Sequence, residues 1–200
     1  MTDIEVKGHT RSAFLVRGAL ATGSLYGAGA VGSFVTQAFA QSGGDVDILN
    51  FALTLEYLEA AFYKEGLAKA GLSGDAKKLA TEIEDHEQQH VAALTQTIKK
   101  LGGKPAAKPT FDFGGAFGSR AAYLKTANTL EDTGVSAYNG AAPMIASVEV
   151  LAAAGSIVQI EARHAAMIRL VRGKAPAPSA FDKASQMDAV LAAVKPFIRA

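Results

Sequence analysis

The sequence contains no cysteine and no tryptophan, and its acidic and basic residues nearly cancel, leaving a net charge of +1. The absence of cysteine excludes disulfide bonds, thiolate nucleophiles and thiolate metal sites. The near-neutral charge does not suggest binding to nucleic acid or to an anionic membrane surface. Any metal site in this chain would therefore lack thiolate ligands.

Residues 1–40 differ in composition from the rest of the chain. Basic residues precede an uncharged, Ala- and Gly-rich run, and Ala38-Phe39-Ala40 matches an A-x-A cleavage signature. Residues 10–15 resemble the twin-arginine export motif, except that Ser12 stands in place of the second arginine. We interpret residues 1–40 as a signal-like presequence, which predicts a periplasmic or otherwise exported domain of residues 41–200. A cytoplasmic protein, or one held by an uncleaved N-terminal anchor, is the alternative.

From residue 41 onward the chain shows helical patterns separated by Gly and Pro, and no convincing strand. Helices are predicted over about residues 45–70, 75–101, 119–140, 146–172 and 183–198, and Asp45 or Asp47 is expected to cap the first. Short links imply antiparallel neighbours, whereas residues 102–118 can span about 55 Å and return along the bundle. The sequence therefore predicts an all-α four-helix bundle with a long crossover between helices 2 and 3 and a short C-terminal helix.

Two short motifs place a carboxylate and an imidazole three residues apart: Glu87-Gln88-Gln89-His90 and Glu161-Ala162-Arg163-His164. On a helix this spacing puts both groups on one face, and each face also carries an apolar stripe that normally points into a core. Unpaired charge in a protein interior is costly, so a bound metal is the simplest explanation. His86 points about 100° away from Glu87 on the helix and is interpreted as a surface residue.

Helices one and three each carry a glutamate followed seven residues later by a tyrosine, so that both groups share a helical face. The sequence distance from each of these glutamates to the glutamate of the next Glu-x-x-His motif is also nearly equal, 31 and 30 residues. This repetition predicts two similar helix hairpins with approximate two-fold symmetry. The matching residues are Glu56 and Glu131, Tyr63 and Tyr138, Glu87 and Glu161, and His90 and His164.

This arrangement resembles the ferritin-like superfamily of di-iron and di-manganese carboxylate proteins. In those bundles two helices each supply a Glu and the other two each supply a Glu-x-x-His motif. The resemblance covers about residues 45–172, and residues 50–63 and 161–164 resemble an exported bacterial branch related to desiccation-associated proteins. It implies two Fe or two Mn ions, with Zn as a substitute, held by Glu56, Glu87, His90, Glu131, Glu161 and His164.

Tyr63 and Tyr138 are expected to donate hydrogen bonds that orient a glutamate or histidine ligand. Glu59, three residues after Glu56, is either an additional ligand or gate near the metals, or a carboxylate at the helix rim. The third helix has Gly134 at the matching place, so the two halves are not equivalent there.

Four carboxylates would be neutralised by two divalent ions, whereas without metal they would repel one another and take up protons. Six protein ligands for two ions leave open positions for O₂, peroxide or water, which suits a redox cycle. The resemblance therefore implies an oxidoreductase acting on O₂, peroxide or Fe²⁺, of ferroxidase, peroxidase or catalase type. The alternatives are a non-catalytic stress or envelope protein, and iron storage in a homo-oligomeric cage.

Overall fold

The structure, a computed structural model, describes residues 44–199 of the chain. The expected presequence and its cleavage site after Ala40 lie outside the described residues. Within the described part, no helix is long and apolar enough to cross a lipid bilayer. Four long helices dominate this part: α1, Asp45–Lys69; α2, Gly74–Lys100; α3, Arg120–Ala141; and α4, Val148–Val171.

The four helices pack as a bundle in which α1 and α4 each contact both α2 and α3. The turns between α1 and α2 and between α3 and α4 are short, so each hairpin consists of antiparallel neighbours. A long crossover separates α2 from α3. The predicted all-α four-helix bundle is therefore confirmed.

Asp45 does not cap α1 as the sequence suggested. Gly44 occupies the cap position, and no side-chain cap hydrogen bond forms there. The two carboxylate oxygens of Asp45 instead accept hydrogen bonds from the backbone N–H groups of Ala146 and Ser147, at 2.7 and 2.8 Å. Asp45 thus joins the start of α1 to the start of α4, a long-range role that a local cap pattern does not indicate.

The crossover is fixed to the first helix by Asn50. Its Nδ2 donates to the carbonyl of Lys104 at 3.2 Å, and its Oδ1 accepts from the backbone N–H of Ala106 at 2.7 Å. The buried amide of Asn50 therefore satisfies backbone groups of a segment that has little regular structure of its own.

The C-terminal segment is less helical than predicted. Helix α5 covers only Met187–Val194 and is followed by a 3₁₀ turn, Lys195–Phe197, whose Pro196 cannot donate a backbone hydrogen bond. Strand β2, Ile198–Arg199, then pairs antiparallel with strand β1, Thr110–Phe111, in the crossover. The expectation of no strand was wrong here, because two residues are too few to show an alternating pattern.

The chain before α5 contacts α3 through hydrogen bonds of its backbone. The backbone N–H of Ser185 donates to the carbonyl of Ser136 at 2.8 Å. A Cβ atom on Gly140 would lie 1.9 Å from the carbonyl oxygen of Ser185. Gly140 therefore permits this close approach rather than ending the helix, which continues to Ala141.

The interior of the bundle consists of two apolar clusters with a polar layer between them. One cluster contains stacked aromatic rings, including those of Phe62 and Tyr123, whose centroids are 5.0 Å apart. The other is mostly aliphatic. Along α2, Ile83 belongs to the first cluster and Leu94 to the second, and Glu87 lies between them. The polar layer is therefore screened from water on both sides.

Candidate metal centre

Side chains from all four long helices meet in the polar layer. The four carboxylates are 0% exposed, and the two histidines are 9% and 4% exposed. Their ligand atoms form two groups, and within each group all atoms lie within 4.8 Å of one another. The first group is Glu56, Glu87, His90 and Glu161, and the second is Glu87, Glu131, Glu161 and His164.

Glu87 and Glu161 belong to both groups. A carboxylate has two oxygens and can contact two ions at once, as in two-metal sites. The remaining members divide evenly, because each group keeps one glutamate and one histidine of its own. The layer therefore contains two adjacent groups of potential ligands that share two carboxylates.

His90 turns its Nδ1 atom toward three carboxylates. Nδ1 lies 3.2 Å from Glu56 Oε2, 3.3 Å from Glu87 Oε2 and 3.2 Å from Glu161 Oε1. A ring nitrogen carries at most one hydrogen, so it cannot form good hydrogen bonds to all three oxygens. The position of Nδ1 suits a metal ligand that faces the same ion as these carboxylates.

Three carboxylate oxygens of the polar layer have no hydrogen-bond partner among residues 44–199: Glu87 Oε1 and both oxygens of Glu161. Glu87 Oε1 and Glu161 Oε1 each lie 3.2 Å from an imidazole nitrogen, but the direction of approach does not make a hydrogen bond. Buried carboxylates without partners are costly, and cations between them would remove that cost. Because these oxygens belong to the shared residues, the donor set fits two ions, and oxygen and imidazole donors suit Fe, Mn or Zn.

The pKa values of the layer reflect crowding of like charges in a dry interior. Burial and then repulsion by Glu56 raise the pKa of Glu87 well above the ordinary 4.5, and burial and repulsion by Glu87 do the same for Glu161. Burial also acts to raise the pKa of Glu56, but hydrogen bonds to His90 and Glu87 lower it overall. Burial acts to lower the pKa of His90, yet the surrounding carboxylates raise it to about 12. The layer therefore holds protons when no cation compensates its charge.

Comparison with known protein families matches residues 44–174 to the ferritin-like domain. The chain belongs to this family. The match covers more than half of the chain and includes both buried Glu/His groups. A comparison with curated proteins finds no significant match. The ferritin-like assignment agrees with the resemblance seen in the sequence, and the buried groups are consistent with a dinuclear metal site.

Two tyrosines of the ferritin-like domain donate across the bundle. The hydroxyl of Tyr63, on α1, donates to Oε1 of Glu131 on α3. The hydroxyl of Tyr138, on α3, donates to Oε1 of Glu56 on α1 at 2.5 Å. Burial raises the pKa of both tyrosines, so both keep the hydrogen that they donate. Each tyrosine thus contacts the glutamate of the opposite hairpin, a pairing that spacing within one helix does not reveal.

Glu59 lies in the interior of the domain and is only 3% exposed, which excludes the rim carboxylate among its two alternatives. It is not a member of either ligand group among the described residues. A Cβ atom on Gly134 would lie 3.2 Å from Glu59 Oε1 and 3.0 Å from Glu161 Oε2. Burial and then repulsion by Glu161 raise the pKa of Glu59 well above 4.5. Glu59 is therefore a further carboxyl group beside the cluster, in space that Gly134 leaves open.

The prediction that His86 is a surface residue was wrong. It is half-buried, and its Nδ1 lies 2.9 Å from Nε2 of His164. Residues 86–90 form an H-E-x-x-H sequence, in which histidines four residues apart lie on the same side of a helix. That spacing could have indicated that His86 approaches the polar layer. Within the described chain His86 joins neither ligand group and lies behind His164.

Proposed function

We propose that this ferritin-like domain binds two Fe or two Mn ions and acts as an oxidoreductase on O₂, peroxide or Fe²⁺. The observation that carries the proposal is the sharing of Glu87 and Glu161 between two groups of potential ligands. In the proposed centre Glu56 and His90 complete one position, and Glu131 and His164 complete the other. This assignment uses all six residues that the sequence motifs predict as ligands.

The bound ions would supply the capacity to exchange electrons with a small oxidant. The protein would position the ions and exclude water from the polar layer. The apolar clusters on both sides keep the layer dry, and buried charges interact more strongly in such surroundings. The hydroxyls of Tyr63 and Tyr138 hold one carboxylate oxygen each, and so restrict how Glu131 and Glu56 can turn.

An apolar hollow beside the polar layer favours O₂ among the proposed substrates. Tyr138, whose hydroxyl contacts Glu56, is one of the residues that line the hollow. Alanine and large apolar side chains of α1, α3 and α4 line it, so a small apolar molecule could enter it without displacing polar contacts. The lining includes Leu49, Phe51, Ala52, Leu55, Ala137, Ala141 and Ala154.

Metal analysis of single-residue variants tests the proposal. Protein exposed to Fe²⁺ without oxygen, or to Mn²⁺, and then desalted is expected to retain two ions per chain. Glu131→Gln should retain about one ion, because Glu131 belongs to one ligand group only, whereas Glu87→Gln should weaken both positions. Glu82→Gln, an exposed glutamate on the same helix as Glu87, is the control and should retain two.

The outcome separates the proposed oxidoreductase from the alternatives. Wild-type protein that retains no metal after loading would support a non-catalytic scaffold. Two retained ions together with consumption of O₂ or peroxide would support the oxidoreductase, and a very large assembly that accumulates many iron ions would support storage. Retention of two ions by Glu131→Gln would show that the ligand assignment is wrong at that position.

We also propose that the domain is exported and belongs to the exported, desiccation-associated branch that its sequence resembles. The support is the A-x-A segment and the motif that resembles a twin-arginine signal, both within residues 1–40. N-terminal sequencing of the exported protein should begin at Gln41. Recovery of protein that still begins at Met1 would exclude cleavage at this site.

A further inference from the structure

The two halves of the bundle differ at the residue that precedes each Glu-x-x-His motif. In the first half this residue is His86, before Glu87, and in the second half it is Ile160, before Glu161. Both residues are half-buried. The repeat in the sequence therefore pairs an imidazole at the position before one motif with an aliphatic side chain at the position before the other.

The imidazole of His86 occupies the side of His164 that faces away from the carboxylates. His164 Nδ1 lies 3.2 Å from both Glu131 Oε2 and Glu87 Oε1, and so faces the proposed metal position. His164 Nε2 is the remaining ring nitrogen, and it lies 2.9 Å from Nδ1 of His86. The two rings are nearly parallel, with an interplanar angle of 13° and centroids 5.2 Å apart. The ring of His164 is thus held at both nitrogens.

A histidine that binds a metal through Nδ1 must carry its proton on Nε2, and the acceptor of that proton fixes both the tautomer and the ring orientation. We propose that His86 is the positioning residue of the second metal position, because its Nδ1 accepts the hydrogen bond from His164 Nε2. This inference rests on the proposed dinuclear centre.

His90 has no equivalent support among the described residues. Its Nδ1 faces Glu56, Glu87 and Glu161, but no protein group within residues 44–199 hydrogen-bonds to Nε2, and the side chain is 11% exposed to solvent. Ile160, at the position that corresponds to His86, has no polar atom in its side chain. The two metal positions are therefore unequal, and the position of Glu131 and His164 binds its ion more tightly. Loss of such an outer hydrogen bond typically lowers metal affinity about 10- to 100-fold.

Titration with Co²⁺, followed by calorimetry and by the visible absorption of the bound ion, tests this asymmetry without any assay of activity. The wild type is expected to bind two ions in two steps that differ about 10- to 100-fold in affinity. His86→Leu removes the acceptor at similar volume, and should lower the tighter affinity until the two steps merge. His86→Asn keeps an acceptor near the place of Nδ1, and should preserve the two steps. Ile160→His supplies an acceptor to the other half, and should raise the weaker affinity.

The variants separate positioning from simple packing. Equal losses in His86→Asn and His86→Leu, or two unchanged steps in His86→Leu, would overturn the role of His86. Circular dichroism shows whether His86→Leu folds. If it does not, Ile160→His tests the same effect with His86 intact, and an unchanged affinity of the weaker binding step in that variant would contradict the inference. If the wild type binds two ions with equal affinity, the inferred difference between the two metal positions is wrong, but the proposed dinuclear centre stands. If it binds none, the proposed dinuclear centre fails as well.

Discussion

The tyrosine hydroxyls show how single hydrogen bonds connect the two hairpins. Tyr63 and Tyr138 each donate to a buried glutamate of the opposite hairpin. Tyr123 is also buried, but its hydroxyl has no hydrogen-bond partner in the described part of the chain. A hydrogen bond to a charged group contributes about 1.5–3 kcal/mol, and an unpaired buried hydroxyl costs about 1–3 kcal/mol. The hydroxyls of Tyr63 and Tyr138 therefore stabilise the fold, whereas the hydroxyl of Tyr123 destabilises it.

Removal of each hydroxyl should reveal this difference. Tyr138→Phe removes the donor to Glu56 Oε1, and we expect a loss of about 1.5–3 kcal/mol in the free energy of unfolding, together with weaker metal binding. Tyr123→Phe is the matched control, and should be neutral or more stable than the wild type. Urea denaturation and metal titration measure the two effects. Equal destabilisation by both variants would mean that ring packing, and not the hydrogen bond, is responsible.

At the level of helices, two glycines within long elements serve different purposes. Gly134 in α3 lies beside carboxylate oxygens of Glu59 and Glu161, so its missing side chain makes room in the polar layer. Around Gly155 in α4, no described atom outside its chain neighbours and the backbone of its own helix lies within 4 Å of the place where a Cβ would be. Glycine within a helix costs about 1 kcal/mol relative to alanine. Packing explains why Gly134 is a glycine despite this cost, but it does not explain Gly155.

Alanine substitutions at these two glycines should differ in sign. Gly155→Ala should raise the free energy of unfolding by up to about 1 kcal/mol through helix propensity. Gly134→Ala brings the same propensity, but its Cβ would lie 3.0 Å from Glu161 Oε2, so we expect less stability than in Gly155→Ala and a lower metal affinity. Thermal unfolding and metal titration give both quantities. Equal stabilisation with unchanged metal binding would show that the space beside Gly134 has no such role.

At the level of the whole domain, the polar layer makes stability depend on pH. The metal-free domain should lose stability as pH rises, whereas the stabilisation that metal binding provides should increase. In the metal-free protein, burial and like-charge repulsion raise the pKa of Glu59, Glu87 and Glu161 above the ordinary 4.5. The folded state then binds more protons than the unfolded state, so this contribution is complete below pH 4.5 and declines as pH rises from there. The raised pKa of His90 also lowers the stability of the folded state as pH rises above 6.5. The lowered pKa of Glu56 has the opposite effect, because it makes the folded state bind fewer protons than the unfolded state.

The metal-free domain is therefore expected to unfold at a higher temperature at pH 5 than at pH 8. Metal binding requires deprotonated carboxylates and a free imidazole nitrogen, so stabilisation by Mn²⁺ should grow over the same interval. Thermal unfolding with and without Mn²⁺ at the two pH values measures both trends. A metal-free domain that is more stable at pH 8 would contradict the proposed excess of bound protons.

The helical patterns and link lengths of the sequence predicted the four-helix bundle. The spacing of Glu and His along each helix carried the resemblance that implied the six candidate ligands. Positions three, four and seven residues apart share a face whatever the helix packs against, so Glu87 with His90 and Glu131 with Tyr138 could be placed from the sequence. The long crossover likewise follows from the positions of Gly and Pro between the second and third helices.

Only the tertiary structure decided which groups meet across helices. The sharing of Glu87 and Glu161, the donation of each tyrosine to the opposite hairpin and the contact of His86 with His164 depend on the rotation and relative height of packed helices. Those quantities are set by how side chains of different helices interlock, and residues of one helix do not encode them separately. The sequence therefore predicted the potential ligands of a candidate centre, whereas packing determined how they divide between two groups.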